Sequence, residues 1–98
     1  MEVRYTGTVT TQPSFFTSRH SHHTHEQFDV RGDSGSTFRV VDNVSLAPRV
    51  PAHPGDRVTV QGELVHDRGG PPIVHWTHHD PRGRHPSGFI ALNGRVYA

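Results

Sequence analysis

Cysteine is absent from the 98-residue chain, and so is lysine. Without cysteine the protein has no disulfide bonds, no thiolate zinc site and no cysteine nucleophile. The ten Lys and Arg positions are all arginine, and nine aspartate and glutamate residues nearly balance them, to a net charge of +1. This weak charge argues against the strongly basic surface that non-specific binding to duplex nucleic acid requires.

Apolar residues are scarce as well. They make up 31% of the chain, and the mean hydropathy is −0.66, so we expect a single thin core. A thin core suits a small closed β-barrel, in which one layer of side chains fills the interior. No apolar run has the length of a membrane span, and the N-terminus lacks the pattern of a signal peptide. We therefore expect one domain over residues 1–98, in a cytoplasmic protein that does not bind a membrane.

Short apolar stretches with a period of two predict an all-β protein. The predicted strands are residues 3–9, 28–30, 38–41, 58–64, 73–76, 89–92 and 95–97. Asn93-Gly94 separates the last two, and this dipeptide is the strongest short signal for a hairpin. The pattern favours a small OB-like barrel of five to seven strands, with a small β-sandwich as the alternative.

The connecting segments have the composition of loops and turns. Residues 12–24 are rich in Ser, Thr and His and are predicted to form a histidine-rich loop. Residues 43–55 contain three prolines, which exclude a helix interior and a central strand alike, so we expect an irregular crossover. Turns are predicted at residues 67–72, which contain Gly-Gly-Pro-Pro, and at Asp80-Pro81-Arg82-Gly83.

Most of the ten histidines fall into two clusters. The first is in the polar loop, where His20, His22 and His23 are interpreted as solvated residues. His25 stands apart because it lies immediately before the second predicted strand. Since this strand continues into the core, His25 is the member of the first cluster that we expect at a site.

The second cluster is His75-Trp76-Thr77-His78-His79-Asp80. If the fifth strand continued past Trp76, His75 and His79 would share one face of it, and His78 and Asp80 the other. Adjacent histidines beside an aspartate and a tight turn form a preorganised polar group. We therefore expect a functional role for these histidines together.

The histidines predict a metal site. Neutral imidazole nitrogen is a good ligand for divalent zinc, copper and nickel, and three such nitrogens with an open position are typical of catalytic metal sites. The predicted ligands, on one ion or more, are His25, His75, His78 and His79.

Other side chains are predicted to act beside the metal. Asp80 or Glu26 would orient a ligand or act as a general base. Arg49 or Arg82 would hold an anion and its developing charge. The predicted ligand-binding residues are Trp76, Asn43 and His85.

Several strings resemble those of a family of small bacterial proteins known as a domain of unknown function. They are His25-Glu26-Gln27-Phe28, Asn43 to Val50 with its Leu-Ala-Pro-Arg, Gly55-Asp56, Gly62-Glu63, and His75 to Pro81. The His-Trp-Thr-His-His-Asp-Pro string is the most specific of them. This chain departs from the family in having Glu26 in place of glutamine and Phe89 in place of tryptophan. The family has no assigned activity, so the resemblance supports the choice of residues and implies no function.

Two kinds of function are compatible with these residues. The first is a metal-assisted hydrolase that cleaves phosphodiesters, as a nuclease does, or a metal-free version in which histidines act as acid and base. The second involves no catalysis: an OB-like module that binds single-stranded nucleic acid, or a protein that sequesters or senses metal. The chain is expected to be a monomer or a homodimer.

Overall fold

In a computed structural model that describes residues 1–66 and 69–98, the chain folds into eight β-strands. The strands are β1 (Glu2–Val9), β2 (Ser14–Thr17), β3 (Thr24–Gly32), β4 (Thr37–Asn43), β5 (Arg57–Val65), β6 (Ile73–His75), β7 (Phe89–Leu92) and β8 (Arg95–Tyr97). The first two residues of the turn predicted at residues 67–72 lie outside the described residues. Within the described ranges no helix is long and apolar enough to cross a bilayer.

Five strands close into a barrel. The order is β1-β3-β4-β6-β5, and β5 returns to pair with β1. The β4–β6 pair is parallel and the other pairs are antiparallel. This is a Greek-key barrel of the OB type, so the predicted all-β, OB-like fold is confirmed and the sandwich alternative is not needed.

Strand alternation fills the barrel interior. In β3, Glu26, Phe28 and Val30 point inward, and in β4 their partners include Val40, directly opposite Phe28. Because successive side chains point to opposite faces, His25 lies on the outer face of the same strand. The core holds twelve buried apolar residues from the strands and the crossover, which fits the thin core expected from the composition.

The crossover between β4 and β5 is irregular, as its prolines predict. Val50 and Ala52 in this segment are buried and join the core. The backbone N–H of Val50 donates to Oε1 of Glu26 over 2.8 Å. The inward carboxylate of β3 therefore holds the crossover against the barrel.

Three strands extend the sheet beyond the barrel. β7 pairs with β5, and β8 pairs with β7 across the predicted Asn93-Gly94 turn. β2 pairs with β3 inside the segment that was predicted to be a loop, and that prediction is wrong for residues 14–17. The apolar residues of β2, Phe15 and Phe16, are adjacent and about 40% exposed, so the strand lacks the alternating pattern of one that covers a core.

Candidate functional site

A cavity of about 560 Å³ lies on the outer side of β3, β4 and β6. It is lined by side chains from three parts of the chain: the end of the β2–β3 connection with β3, the end of β4, and the segment from His75 to His85. Eight of the eleven predicted site residues line it. They are His25, Asn43, His75, Trp76, His78, Asp80, Arg82 and His85.

The end of β6 determines which histidines enter the cavity. Trp76 has a φ of 55°, a left-handed conformation that is uncommon for a residue with a side chain, and the strand stops at His75. The strand alternation considered from the sequence is therefore interrupted. His75 and His78 both line the cavity, whereas His79 is exposed and its Nδ1 lies 3.0 Å from Oγ of Ser87.

The segment after β6 folds back closely on itself. The N–H of Gly88 donates to the carbonyl of His78 over 2.9 Å. A Cβ at position 88 would collide with the carbonyl oxygens of Trp76 and Gln61. Only glycine allows this approach of two backbones, which brings the chain back to β7 and encloses the cavity.

Trp76 stacks against two imidazoles. The ring centroids are 4.7 Å from His75 and 4.2 Å from His85, with planes within 13° of parallel. His85 also meets His78 edge to face at 5.4 Å. Trp76 is 40% exposed, so it belongs to the wall of the cavity and not to the barrel core.

Two imidazoles are held by backbone carbonyls. Nδ1 of His78 lies 2.8 Å from the carbonyl of His79, and Nδ1 of His85 lies 2.8 Å from the carbonyl of Pro86. A carbonyl can only accept, so Nδ1 carries the hydrogen in both rings. When these rings are neutral, their Nε2 atoms are left with lone pairs.

His23 has the opposite arrangement. Its Nδ1 lies 2.8 Å from Nδ2 of Asn43, and an amide nitrogen only donates. The orientation of the amide is fixed by its oxygen, which accepts from the N–H of Ser45 over 3.0 Å. Nδ1 of His23 is therefore the acceptor, and Nε2 carries the hydrogen.

His25 lies between these groups. Burial lowers its pKa, the backbone of His23 opposes that change, and the nearby charges of His23 and His78 lower the pKa further. Its Nδ1 is buried and makes no hydrogen bond of normal geometry with the described residues. The lowered pKa favours the neutral form of His25, and Phe16 of β2 stacks on its ring with centroids 5.2 Å apart.

Asp80 organises the loop. Its carboxylate accepts from the N–H groups of Arg82, Arg84 and His85. The hydrogen bond from the N–H of Arg82 has the largest effect in lowering the pKa of Asp80. The Gly83 N–H donates to the Asp80 carbonyl over 3.2 Å, which is the predicted turn. With these bonds made, Asp80 is a weak base, and its contribution is to place the arginines and His85 around the cavity.

Three predicted site residues do not reach the cavity. Glu26 is 1% exposed and faces the barrel interior, on the opposite side of β3 from His25. Burial raises the pKa of Glu26, while the Val50 N–H and the charge of Arg49 oppose this. Arg49 lies over the ring of Phe15, 4.3 Å from its centroid, and His79 points outward.

Two basic side chains that line the cavity, His23 and Arg84, were not among the residues predicted for the site. His23 was interpreted as a solvated loop residue. His23 can be recognised as a cavity residue only when the pairing of β2 with β3 is known, because that pairing folds the β2–β3 connection over the outer face of β3.

A buried polar pair anchors the segment that follows β6. Thr77 and Asp42 are both fully buried, and Oγ1 of Thr77 donates to Oδ1 of Asp42 over 3.0 Å. Burial, with a smaller effect of Glu26, raises the pKa of Asp42 to about 7, and the bond from Thr77 opposes that change. The bond ties the residue between Trp76 and His78 to β4, and so fixes where the cavity wall begins.

Within residues 1–66 and 69–98, no three His, Asp or Glu side chains are gathered at the spacing that a metal ion needs. The cavity histidines surround a common space without forming such a group. The predicted metal site stays a prediction.

A family model described as "Protein of unknown function (DUF3465)" matches residues 3–98. The chain belongs to this family. The expected membership in a family of unknown function is thereby confirmed. No curated protein and no solved structure matches this DUF3465 chain.

Proposed function

We propose that this DUF3465 protein binds a phosphodiester ligand in the histidine cavity. The charge of the lining carries the proposal. Five imidazoles and the guanidinium groups of Arg82 and Arg84 surround the space. Among the described lining residues Asp80 is the one carboxylate, and three backbone N–H groups already bind it. An anion that enters the cavity therefore meets two guanidinium groups and the Nε2–H of His23.

The position of the cavity on the barrel supports the same ligand. β3 and β4 are the second and third barrel strands in chain order, and OB barrels bind oligonucleotides on the face that these strands form. Phe16 is 41% exposed next to the cavity and rests on His25. An exposed ring at the rim offers a surface on which a base can stack, while the indole of Trp76 is already engaged by two imidazoles.

The two arginines give the first test. Replacing both Arg82 and Arg84 with alanine should weaken binding of a fluorescein-labelled single-stranded oligonucleotide by tenfold or more, because each guanidinium contributes a charge-assisted contact. Fluorescence anisotropy at low salt measures the affinity. Arg95→Ala is the matched control, since Arg95 is an exposed arginine on β8 outside the cavity. Absence of wild-type binding at micromolar concentration, or equal losses in both variants, would contradict the proposal.

Metal-assisted cleavage of the bound phosphodiester is the second candidate. One observation favours it: the Nδ1–H groups of His78 and His85 are tied to backbone carbonyls. In a metal-binding histidine, the ring nitrogen that does not bind the ion usually donates a hydrogen bond in this way. That bond directs the other nitrogen to the ion. A zinc, copper or nickel ion would lower the pKa of a bound water and polarise the phosphate. The imidazoles would have to turn towards a common point to bind it.

Metal content separates the two candidates. We expect a metal-binding protein to take up zinc or nickel in near-stoichiometric amount, as measured by elemental analysis after dialysis, and to lose it in His78→Ala. His79→Ala is the control, because His79 is the neighbouring histidine and lies outside the cavity. Folded protein that takes up no metal would rule out the second candidate and leave phosphodiester binding untouched.

A further inference from the structure

Two imidazole nitrogens of the cavity have opposite hydrogen-bonding roles: one donates and the other accepts. Nε2 of His23 is a donor, because Asn43 occupies Nδ1 with an amide hydrogen whose direction Ser45 fixes. Nε2 of neutral His78 is an acceptor, because Nδ1 donates to the His79 carbonyl. A hydroxyl can exchange donor and acceptor roles by rotation, whereas the tautomer of each neutral ring is fixed by a bond of 2.8 Å.

His23 and His78 belong to the same part of the site. His23 and His78 both line the cavity, and both are close enough to His25 for their charge to affect it. His78 is only 4% exposed, so the part of its ring that remains accessible faces the cavity. Nε2 of His78 makes no hydrogen bond to the residues that the structure describes, which leaves it available to a ligand.

A phosphodiester alone does not match this pattern. Its oxygens only accept, so they fit His23, Arg82 and Arg84, but they offer nothing to Nε2 of His78. The matching ligand has a hydrogen-bond donor close to the phosphate. In a ribonucleotide the 2′-hydroxyl lies next to the phosphodiester and can donate, whereas a deoxyribonucleotide has no such group.

We propose that the cavity recognises single-stranded RNA, with the 2′-hydroxyl donating to Nε2 of His78 and the adjacent phosphate accepting from Nε2–H of His23 and from the arginines. This inference rests on the proposed binding of a phosphodiester and names its class. Discrimination between RNA and DNA comes from His78, and affinity for the phosphate comes from the other three residues.

The test compares oligouridine with oligodeoxyuridine of the same length, because the two differ only at the 2′ position. Anisotropy titrations of the wild-type protein should show RNA binding about fivefold to tenfold tighter, the effect of one hydrogen bond. His78→Ala should bind both strands with the affinity that the wild type has for DNA. His79→Ala should keep the preference for RNA.

A ligand variant makes the test independent of the folding of His78→Ala. Oligouridine with 2′-O-methyl groups keeps the oxygen and loses the donated hydrogen, so the wild-type protein should bind it no better than DNA. Equal binding of RNA and DNA, or a preference that survives in folded His78→Ala, would overturn the inference and leave phosphodiester binding standing. Failure to bind any of the three strands would instead refute the proposed function.

Discussion

At the scale of single residues, the cavity shows how one neighbour changes the chemistry of a histidine. His23 and His78 have the same side chain, but an amide hydrogen makes one a donor at Nε2 and a carbonyl makes the other an acceptor there. The sequence contains Asn43 and the histidines without indicating these bonds, since the partners are 20 residues apart in the first case. A composition rich in histidine predicts a site, but the direction of each hydrogen bond depends on the fold.

Asp42 gives a prediction at the same scale. Its pKa is raised from 3.8 to about 7 in the folded protein, so between these values the folded state holds a proton that the unfolded state has released. The free energy of unfolding should therefore fall as pH rises from about 4 to about 7, and then level off with respect to this group. Asp42→Asn removes the titration, and the decrease in stability between pH 5 and pH 8 should be smaller by about 2 kcal/mol.

Urea unfolding of both proteins at a series of pH values measures this difference. The comparison of slopes is informative even if the asparagine destabilises the protein by a constant amount, because a constant shift does not depend on pH. Parallel curves for the wild type and Asp42→Asn would show that Asp42 does not bind the additional proton.

At the scale of elements, the strands that cover the core were predictable and the others were less so. Val58, Val60 and Leu64 alternate with polar residues, and the strand they predict is β5. Phe15 and Phe16 are adjacent on an edge strand, where neither residue needs to face a core, so β2 left no periodic signal. The end of β6 was also hidden, because nothing in the residue type of Trp76 indicates a left-handed backbone. That conformation decided which histidines of the second cluster enter the cavity.

The return of the chain after β6 gives a prediction at this scale. Gly88→Ala should destabilise the protein by several kcal/mol, because the added Cβ would collide with the backbone carbonyls of Trp76 and Gln61. Gly70→Ala is the matched control, since a Cβ there meets nothing within 4 Å, and it should be nearly neutral. Thermal or urea unfolding compares the two; equal stability would mean that the segment relaxes without cost.

At the scale of the whole molecule, the barrel could be predicted from the short alternating strands, but the composition of the cavity could not. The cavity is formed by two features of the fold: the pairing of β4 with β6, and the folding of the β2–β3 connection over β3. Glu26 is a residue whose place the sequence pattern did not predict. It is next to His25 in sequence and was expected at the same site, yet the alternation of β3 puts the two on opposite sides of the sheet.

Net charge gives the prediction at this scale. A molecule with a net charge of +1 and two arginines at its cavity should release few counterions when it binds single-stranded nucleic acid. We expect the logarithm of the affinity to fall with the logarithm of salt concentration with a slope between about −0.7 and about −1.4, the values for one and for two neutralised phosphates. Anisotropy titrations from low to physiological salt measure it. A slope of −4 or steeper would indicate a much wider basic contact than the cavity provides.

The position of β1 in the barrel affects the order in which the protein can fold. β1 pairs with β3 on one side and with β5 on the other, where Glu2 lies opposite Glu63. During synthesis the first strand therefore waits until residue 65 has left the ribosome before both of its edges can be paired. The β3–β4 hairpin has no such delay, because its partners are separated by a short turn. We expect this hairpin to form early and the closure of the barrel around it to be the slow step. The part of the cavity wall that β3 and β4 supply therefore exists before the first strand of the chain has its final place.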